Sequence, residues 1–349
     1  MLRRIMLNFV TLILNRETII KDFKALGEAL SNIPAETVAQ AHHHNQWFTP
    51  EYIEMAGRSW AAALNQHDLE HWLSDVPYAE KNESTGIIMA GNIPFVGLHD
   101  LLSVLATGYK ALVKLSSTDE VLMKYVIKAL GVINGEFDNR IVVTERLNEA
   151  SRIIATGSNN SSRYFEYYFR DKPVLIRKNR TSVAVLNGGE TKEDIEKLSD
   201  DIYSYYGLGC RNVTHVLMPE GFSLELFYTS LDKYMGHVNH HKYYNNYMYH
   251  KSILLMNLTK HYDNGFMIFQ EKADLVAPLG TLNYHFYKTA EEARQYLADN
   301  AENIQCVVSA DNNIAGAVPF GTSQQPSLWQ YADNVNTLDF LLQGKVSQA

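Results

Sequence analysis

Thr85–Gly86–Ile87–Ile88–Met89–Ala90–Gly91–Asn92–Ile93–Pro94 opens the stretch that decides the fold, and Ala111–Leu112–Val113–Lys114–Leu115–Ser116–Ser117 continues it. Each piece is a short apolar run that stops at residues suited to turns, the mark of a strand buried on both faces. Similar runs recur at Ile141–Val143, Arg152–Thr156, Ser182–Leu186, Val213–Met218, Gly280–Tyr287 and Gln305–Val308. Amphipathic stretches such as Glu120–Leu130 and Lys192–Tyr206 separate many of them. Strands alternating with helices predict an α/β chain with mostly parallel sheets covered on both faces. Upstream, to about Leu73, the pattern is helical, with Glu36–Ala41 and Thr49–Leu64 at helical spacing and Pro50 at a first helical position. The Lys192–Tyr206 helix has Thr191 as its cap, Ile195, Leu198 and Ile202 as its buried stripe, and Gly207 to end it. A domain joint is expected near Arg177–Ser182.

The 349 residues suggest two domains, and 46% hydrophobic with 20% charged residues is an ordinary globular balance. A net charge of −8 argues against nucleic-acid binding, which needs a basic face. Two cysteines exclude a disulfide framework and point to a reducing compartment. Ile5–Leu14 follows Arg3–Arg4 but is about half the ~20 residues of a membrane span, with no cleavage site after it. It reads as the first helix of a cytoplasmic protein.

Cys210 leads the candidates for chemistry. It lies in Tyr206–Gly207–Leu208–Gly209–Cys210–Arg211–Asn212, where glycines allow a sharp turn and close approach to the sulfur. Arg211 would favour its thiolate, the nucleophilic form. Cys306, inside an apolar strand, reads as core. Asn92, just past the Ile87–Ala90 run, stands at a strand's carboxyl end and can donate to an oxyanion. Lys114 with Ser116 and Ser117, and Gly157 with Ser158, end two further strands and suit phosphate or ribose hydroxyls. Plain turns account for each of these taken singly, and no GxGxxG is present.

In this order the pieces resemble the aldehyde dehydrogenase superfamily: an Asn–x–Pro loop, a strand ending in Lys–x–Ser, a Gly–Ser loop, and a cysteine in a glycine-containing loop after a helix. Twenty-two residues separate Asn92 from Lys114, and 96 separate Lys114 from Cys210. The wording is most similar to the acyl-CoA reductases related to the fatty-acid reductase of bacterial luminescence. Gly91–Gly97, Val113–Ser116, Gly207–Val213, Phe320–Pro326 and Tyr331–Asp333 carry that likeness, over roughly Trp47 to Leu342. The resemblance implies a helical N-terminus plus NAD(P) domain over 1–181 and a catalytic cysteine domain over 182–320. Segment 321–349 would return to the cofactor domain or an oligomer interface.

It further implies NADPH-dependent reduction of a fatty acyl-CoA to the aldehyde. Cys210 would be the nucleophile and Asn92 an oxyanion donor, with Lys114, Ser116, Ser117, Gly157 and Ser158 on the cofactor. In NAD-preferring relatives an acid stands three residues after the strand lysine; here that residue is Ser117. The stretch that in hydrolytic relatives carries a water-activating glutamate falls on Arg177–Lys178–Asn179–Arg180–Thr181, without a carboxylate. Glu190 reads as support for the following helix's dipole. An acyl-carrier substrate, an acyl-transferring partner and a homo-oligomer fit the same resemblance. CoA-dependent oxidation of short aldehydes and a silent acyl-binding scaffold are its alternatives.

The histidines read as bland. His67–Asp68–Leu69–Glu70–His71 lacks a third metal ligand, so no metal is expected. His237, His240 and His241 among tyrosines read as a surface segment, and His215 as an acid–base outsider.

Overall fold

A computed structural model describes residues 14–157, 159–311 and 313–344. The expected Ile5–Leu14 helix falls almost entirely outside them, and so does Ser158. The chain divides into two units: one runs to Arg177 and takes in Ser327–Trp329 and the chain from Val335; the other holds Lys178–Pro326 and Gln330–Asn334.

The first unit begins with four helices, α1 (Arg16–Leu30), α2 (Ala35–His44), α3 (Pro50–Ala63) and α4 (Gln66–Trp72). A capping box between Asn15 and Thr18 starts α1, and Thr49 with Pro50 starts α3. Then follow β1 (Ser84–Ile88), α5 (Leu98–Ala106), β2 (Lys110–Lys114), α6 (Glu120–Ile133), β3 (Ile141–Val143), β4 (Arg152–Thr156), α7 (Asn159–Tyr168) and β5 (Val174–Arg177). The sheet is parallel throughout, in the order β3-β2-β1-β4-β5. Strand order reverses between β1 and β4, so the crevice at their carboxyl ends is the natural ligand site of this sheet.

The second unit runs β6 (Thr181–Val185), α8 (Lys192–Tyr203), β7 (Val213–Pro219), α9 (Leu224–Thr229), α10 (His241–Met256), β8 (Tyr262–Asp263), β9 (Ile268–Glu271), β10 (Thr281–Tyr287), α11 (Ala290–Asp299) and β11 (Ile304–Ser309). Its order is β11-β6-β7-β10-β9-β8, parallel except for the β8 edge. The core on one face joins Ala184, Val216, Leu282 and Val308 to Ile195, Leu198 and Ile202 of α8. The last helix, α12 (Thr337–Gln343), belongs to the first unit and packs on α5. Beside it Arg177 makes a buried ion pair with Asp100 at 2.7 Å and donates to the Thr337 hydroxyl.

Candidate active site

In the first unit, five expected residues lie where parallel strands end. Asn92 is exposed in the bend after β1. Beneath it Thr118 donates to the Gly91 carbonyl at 2.7 Å, and the Ser116 hydroxyl bonds Thr118 at 2.9 Å. A side chain at position 91 would collide with both hydroxyls, so glycine is what lets the two loops close on each other. Phe95 holds a left-handed φ of 60°, its N–H bonded to the Asp119 carboxyl at 2.9 Å. Burial pushes that carboxyl well above the ordinary range.

Ser117 is exposed at the tip after β2, and its carbonyl is held by His44. His44, the last of the run His42–His43–His44 that ends α2, thus pins the loop on which Ser117 sits. Lys114, half-buried at the end of β2, pairs with Glu145 at 3.1 Å. Glu145 follows β3 and escaped the sequence reading, although an acid just past a strand's carboxyl end was visible. Gly157 ends β4 against Ser161 and Phe165 of α7, with no room for a side chain.

The second unit carries Cys210. α8 stops at Tyr203, short of the expected Tyr206, because Ser204 turns extended and Tyr205, Tyr206 and Gly207 all take left-handed φ (54°, 59° and 78°). Each left-handed non-glycine residue costs roughly 1–2 kcal/mol. The Tyr206 ring packs 4.4 Å from His237 and 4.6 Å from His240, and aromatic contacts of about 0.5–1.5 kcal/mol apiece offset that strain. His237 is therefore interior, contrary to the surface reading, and desolvation holds its pKa down to about 3. Tyr243 and Tyr247 are buried as well.

Asn212 fixes the cysteine loop. Its side chain is fully buried and donates to the carbonyls of Asp201, Ile202 and Ser204, at 3.1, 3.3 and 2.8 Å. Its amide oxygen accepts the Gly209 N–H at 2.8 Å. Ser182 of β6 adds a bond to the Cys210 carbonyl at 3.1 Å. Cys210 itself is half-buried, ahead of β7. Arg211 donates to the Gln330 carbonyl and lies by Cys306, whose thiol burial raises to about 11. The guanidinium thus serves the interior cysteine as well as its own loop.

Asp201, buried near the end of α8, accepts the N–H groups of Gly321 and Ser323 at 2.6 and 2.9 Å. This is why residues 321–326 stay with the second unit. Desolvation lifts its pKa to about 6. An acid next to the Ile195, Leu198, Ile202 stripe was the legible signal.

Two other candidates prove structural. Glu190 accepts the N–H groups of Asn187 and Gly188 and so staples the turn before α8. His215 is buried on β7, bonded to the Asp274 carbonyl and to His285. In the stretch equated with the hydrolytic glutamate, Arg177 pairs with Asp100 and Arg180 with Asp333. Among the described residues no group of three or more His, Cys, Asp or Glu is placed to hold a metal, and no helix is long and apolar enough to cross a membrane.

No family model matches the chain, and no curated protein does. Solved structures do. An NADP-dependent glyceraldehyde-3-phosphate dehydrogenase from Bacillus halodurans, complexed with NADP, superposes with a TM-score of 0.65 at 12% identity, over 86% of this chain and 75% of its own. An NAD+ complex of an aldehyde dehydrogenase from Bacillus cereus gives 0.62 at 12%, over 86% and 73%. A propionaldehyde dehydrogenase from the Clostridium phytofermentans fucose utilisation microcompartment gives 0.60 at 10%, over 90% and 82%. The α/β architecture with its parallel-sheet units is that of aldehyde dehydrogenases.

Proposed function

We propose that this chain is a nicotinamide-dependent oxidoreductase that reduces an acyl thioester, a fatty acyl-CoA, to the aldehyde through an acyl-enzyme on Cys210. The observation that carries the reading is the cysteine loop: a half-buried thiol whose backbone is held by Asn212 and Ser182. In this scheme the Cys210 thiolate attacks the thioester carbonyl, with Asn92 donating to the oxyanion, and the carbon–sulfur bond to CoA breaks, releasing CoA as thiolate. Lys114, Ser116, Ser117 and Gly157 would hold the nicotinamide cofactor, which would supply the hydride that the acyl carbon accepts. The resulting thiohemiacetal collapses to aldehyde, regenerates the Cys210 thiolate, and one proton from solvent neutralises the CoA thiolate. Water is a poor competitor for the acyl group because Glu190 is committed to its turn and the 177–181 stretch has no carboxylate.

The carboxyl ends of β1, β2 and β4 suit a dinucleotide, offering the Lys114 cation, the Ser116 and Ser117 hydroxyls and the tight Gly157 turn. Ser158 is assigned to the same role from sequence. NADPH is the proposed cofactor because Ser117 replaces a repelling acid. Glu145 is the opposing feature. Its pair with Lys114 is exposed, and such pairs are worth about 0–1 kcal/mol, so the lysine can leave it for a 2′-phosphate at little cost.

The test is NADPH consumption against acyl-CoA of graded chain length, with product identified. Aldehyde formation that Cys210→Ala abolishes, with cofactor binding kept, is the expected result. No aldehyde from any thioester, or near-normal turnover by Cys210→Ala, overturns the reading.

A further inference from the structure

A small hollow in the second unit is walled by aromatic rings and rimmed by acids. Leu224, Glu225, Phe227 and Tyr228 of α9 line it, with Tyr262 of β8 and Phe269 of β9, around about 270 Å³. Tyr262 and Phe269 are direct partners in the β8–β9 ladder, so their rings leave the same face of the sheet. Phe227 and Phe269 are buried and form the floor, while Tyr262 is 43% exposed and Glu225 stands at the rim. Phe227 meets Phe269 at 84° and Tyr228 meets it at 48°, with centroids 5.9 and 5.7 Å apart. Rings inclined in this way form walls around a space, where parallel rings would close on each other. The Tyr228 hydroxyl donates to the Asp263 carbonyl, which fixes its ring in the wall.

The charges around the hollow favour a positive guest. Glu225 lines it, Glu271 follows Phe269 by two residues, and Asp232 lies close enough to act on Tyr228. Asp263 adds a fourth carboxylate, which Lys251 and Tyr247 hold. Desolvation raises the Tyr228 hydroxyl above its ordinary value, and Asp263 and Asp232 each raise it more than Lys251 lowers it. One cation already answers this field: the exposed Lys260 ammonium lies 5.9 Å from the centre of the Tyr262 ring. The floor has no polar side-chain atom, so a guest carrying N–H donors would give up water there without replacement. A quaternary ammonium has no N–H to satisfy, and it gains from the aromatic faces and from the acids at once.

We propose that this hollow is a binding site for a small quaternary ammonium ion free in solution, with its methyl groups against the four rings and Glu225 facing its charge. At about 270 Å³ it falls below the roughly 300–1,000 Å³ of ordinary small-molecule sites. That leaves room for a trimethylammonium head with a short tail, and none for a nucleotide. An anion is repelled by the rim, and a plain hydrocarbon gains from the floor but nothing from the acids. Lys260 is the internal competitor, on an exposed stem that can leave the Tyr262 face. The inference does not rest on the proposed reductase activity.

Calorimetric titration of the full chain with choline and with tetramethylammonium tests it, beside the uncharged analogue of choline in which a tert-butyl group replaces trimethylammonium. Expected is saturable binding of both cations, with choline at least about fivefold tighter than its neutral analogue. Tyr262→Leu keeps apolar area but removes an aromatic face, and should weaken choline about three- to tenfold while sparing the neutral analogue. Glu225→Gln should weaken choline a few-fold and flatten the salt dependence of its binding. Lys260→Ala should tighten it. All three positions are exposed, and thermal unfolding of each variant separates a lost site from a lost fold. The neutral analogue on the unaltered chain decides the point without any variant. No saturable binding of either cation, or equal affinity for the neutral analogue, overturns the proposal. So does choline binding that Tyr262→Leu and Glu225→Gln together leave unchanged.

Discussion

Asn212 spends its whole amide on the backbone around Cys210: three carbonyls at the end of α8 and the N–H of Gly209. Asn212→Ala leaves several of these groups unpaired in a dry interior, at about 1–3 kcal/mol for each one truly orphaned. We expect a loss of about 2–4 kcal/mol in urea unfolding, together with a changed rate of Cys210 alkylation. Unchanged alkylation with the same loss of stability would mean that the clamp holds the fold and not the thiol. At neutral pH a thiol reagent should label Cys210 and spare Cys306, which burial keeps protonated to about pH 11. On cofactor choice, Ser117→Glu should weaken NADPH binding and spare NADH. Glu145→Gln should tighten NADPH a few-fold by releasing Lys114. Titrations with both cofactors decide it, and equal use of NADH by the unaltered chain would sink the NADPH assignment.

The helix α8 and the segment it holds make the next scale. Asp201 couples the end of α8 to Gly321 and Ser323, and its carboxyl titrates near 6 in the fold against an ordinary 3.8. A raised acid binds its proton more tightly folded than unfolded, so this group's contribution is greatest below pH 4 and is lost as pH rises through 6. The span is on the order of 3 kcal/mol. Asp201→Asn should remove that slope, which denaturation at several pH values between 4 and 7 would reveal; an unchanged slope would assign it elsewhere. Elements with a clean period were legible in the sequence. The runs that became β1, β4 and β7 were visible because their centres are buried on both faces, and α8 because its stripe is confined to one side. α5 was not, since all but one of its residues are buried and no polar face marks it as a helix. β8 has only two residues, too short for any periodicity. Within the candidate site, Cys210, Asn92 and Lys114 announced themselves through neighbours in sequence. Glu145, Asp201 and the Tyr206–His237 ring contact did not, because their partners lie 31, 120 and 31 residues away along the chain.

Acid should act on the two units differently. In the second, burial lowers His215 to about 4 and His237 to about 3 from 6.5, so the unfolded chain takes up protons that the fold refuses. Stability from these residues is complete above pH 6.5 and is lost as pH falls towards 4. The two shifts exceed the opposing one at Asp201, leaving a net loss of several kcal/mol. In the first unit Asp22 and Asp119 are raised by burial, which favours the fold on acidification. Amide exchange at pH 5 and pH 7 should therefore show protection lost mainly in residues 178–326, and a uniform loss over both units would contradict this account. The chain's path between units has another effect. Domains tend to fold in the order in which they are synthesised. Here the N-terminal unit is the one that waits, because α12, which covers α5 and supplies Thr337 to the buried Arg177–Asp100 pair, leaves the ribosome after the second unit. Until then a nascent chain carries that pair without its third partner, and the half made first is the half finished last.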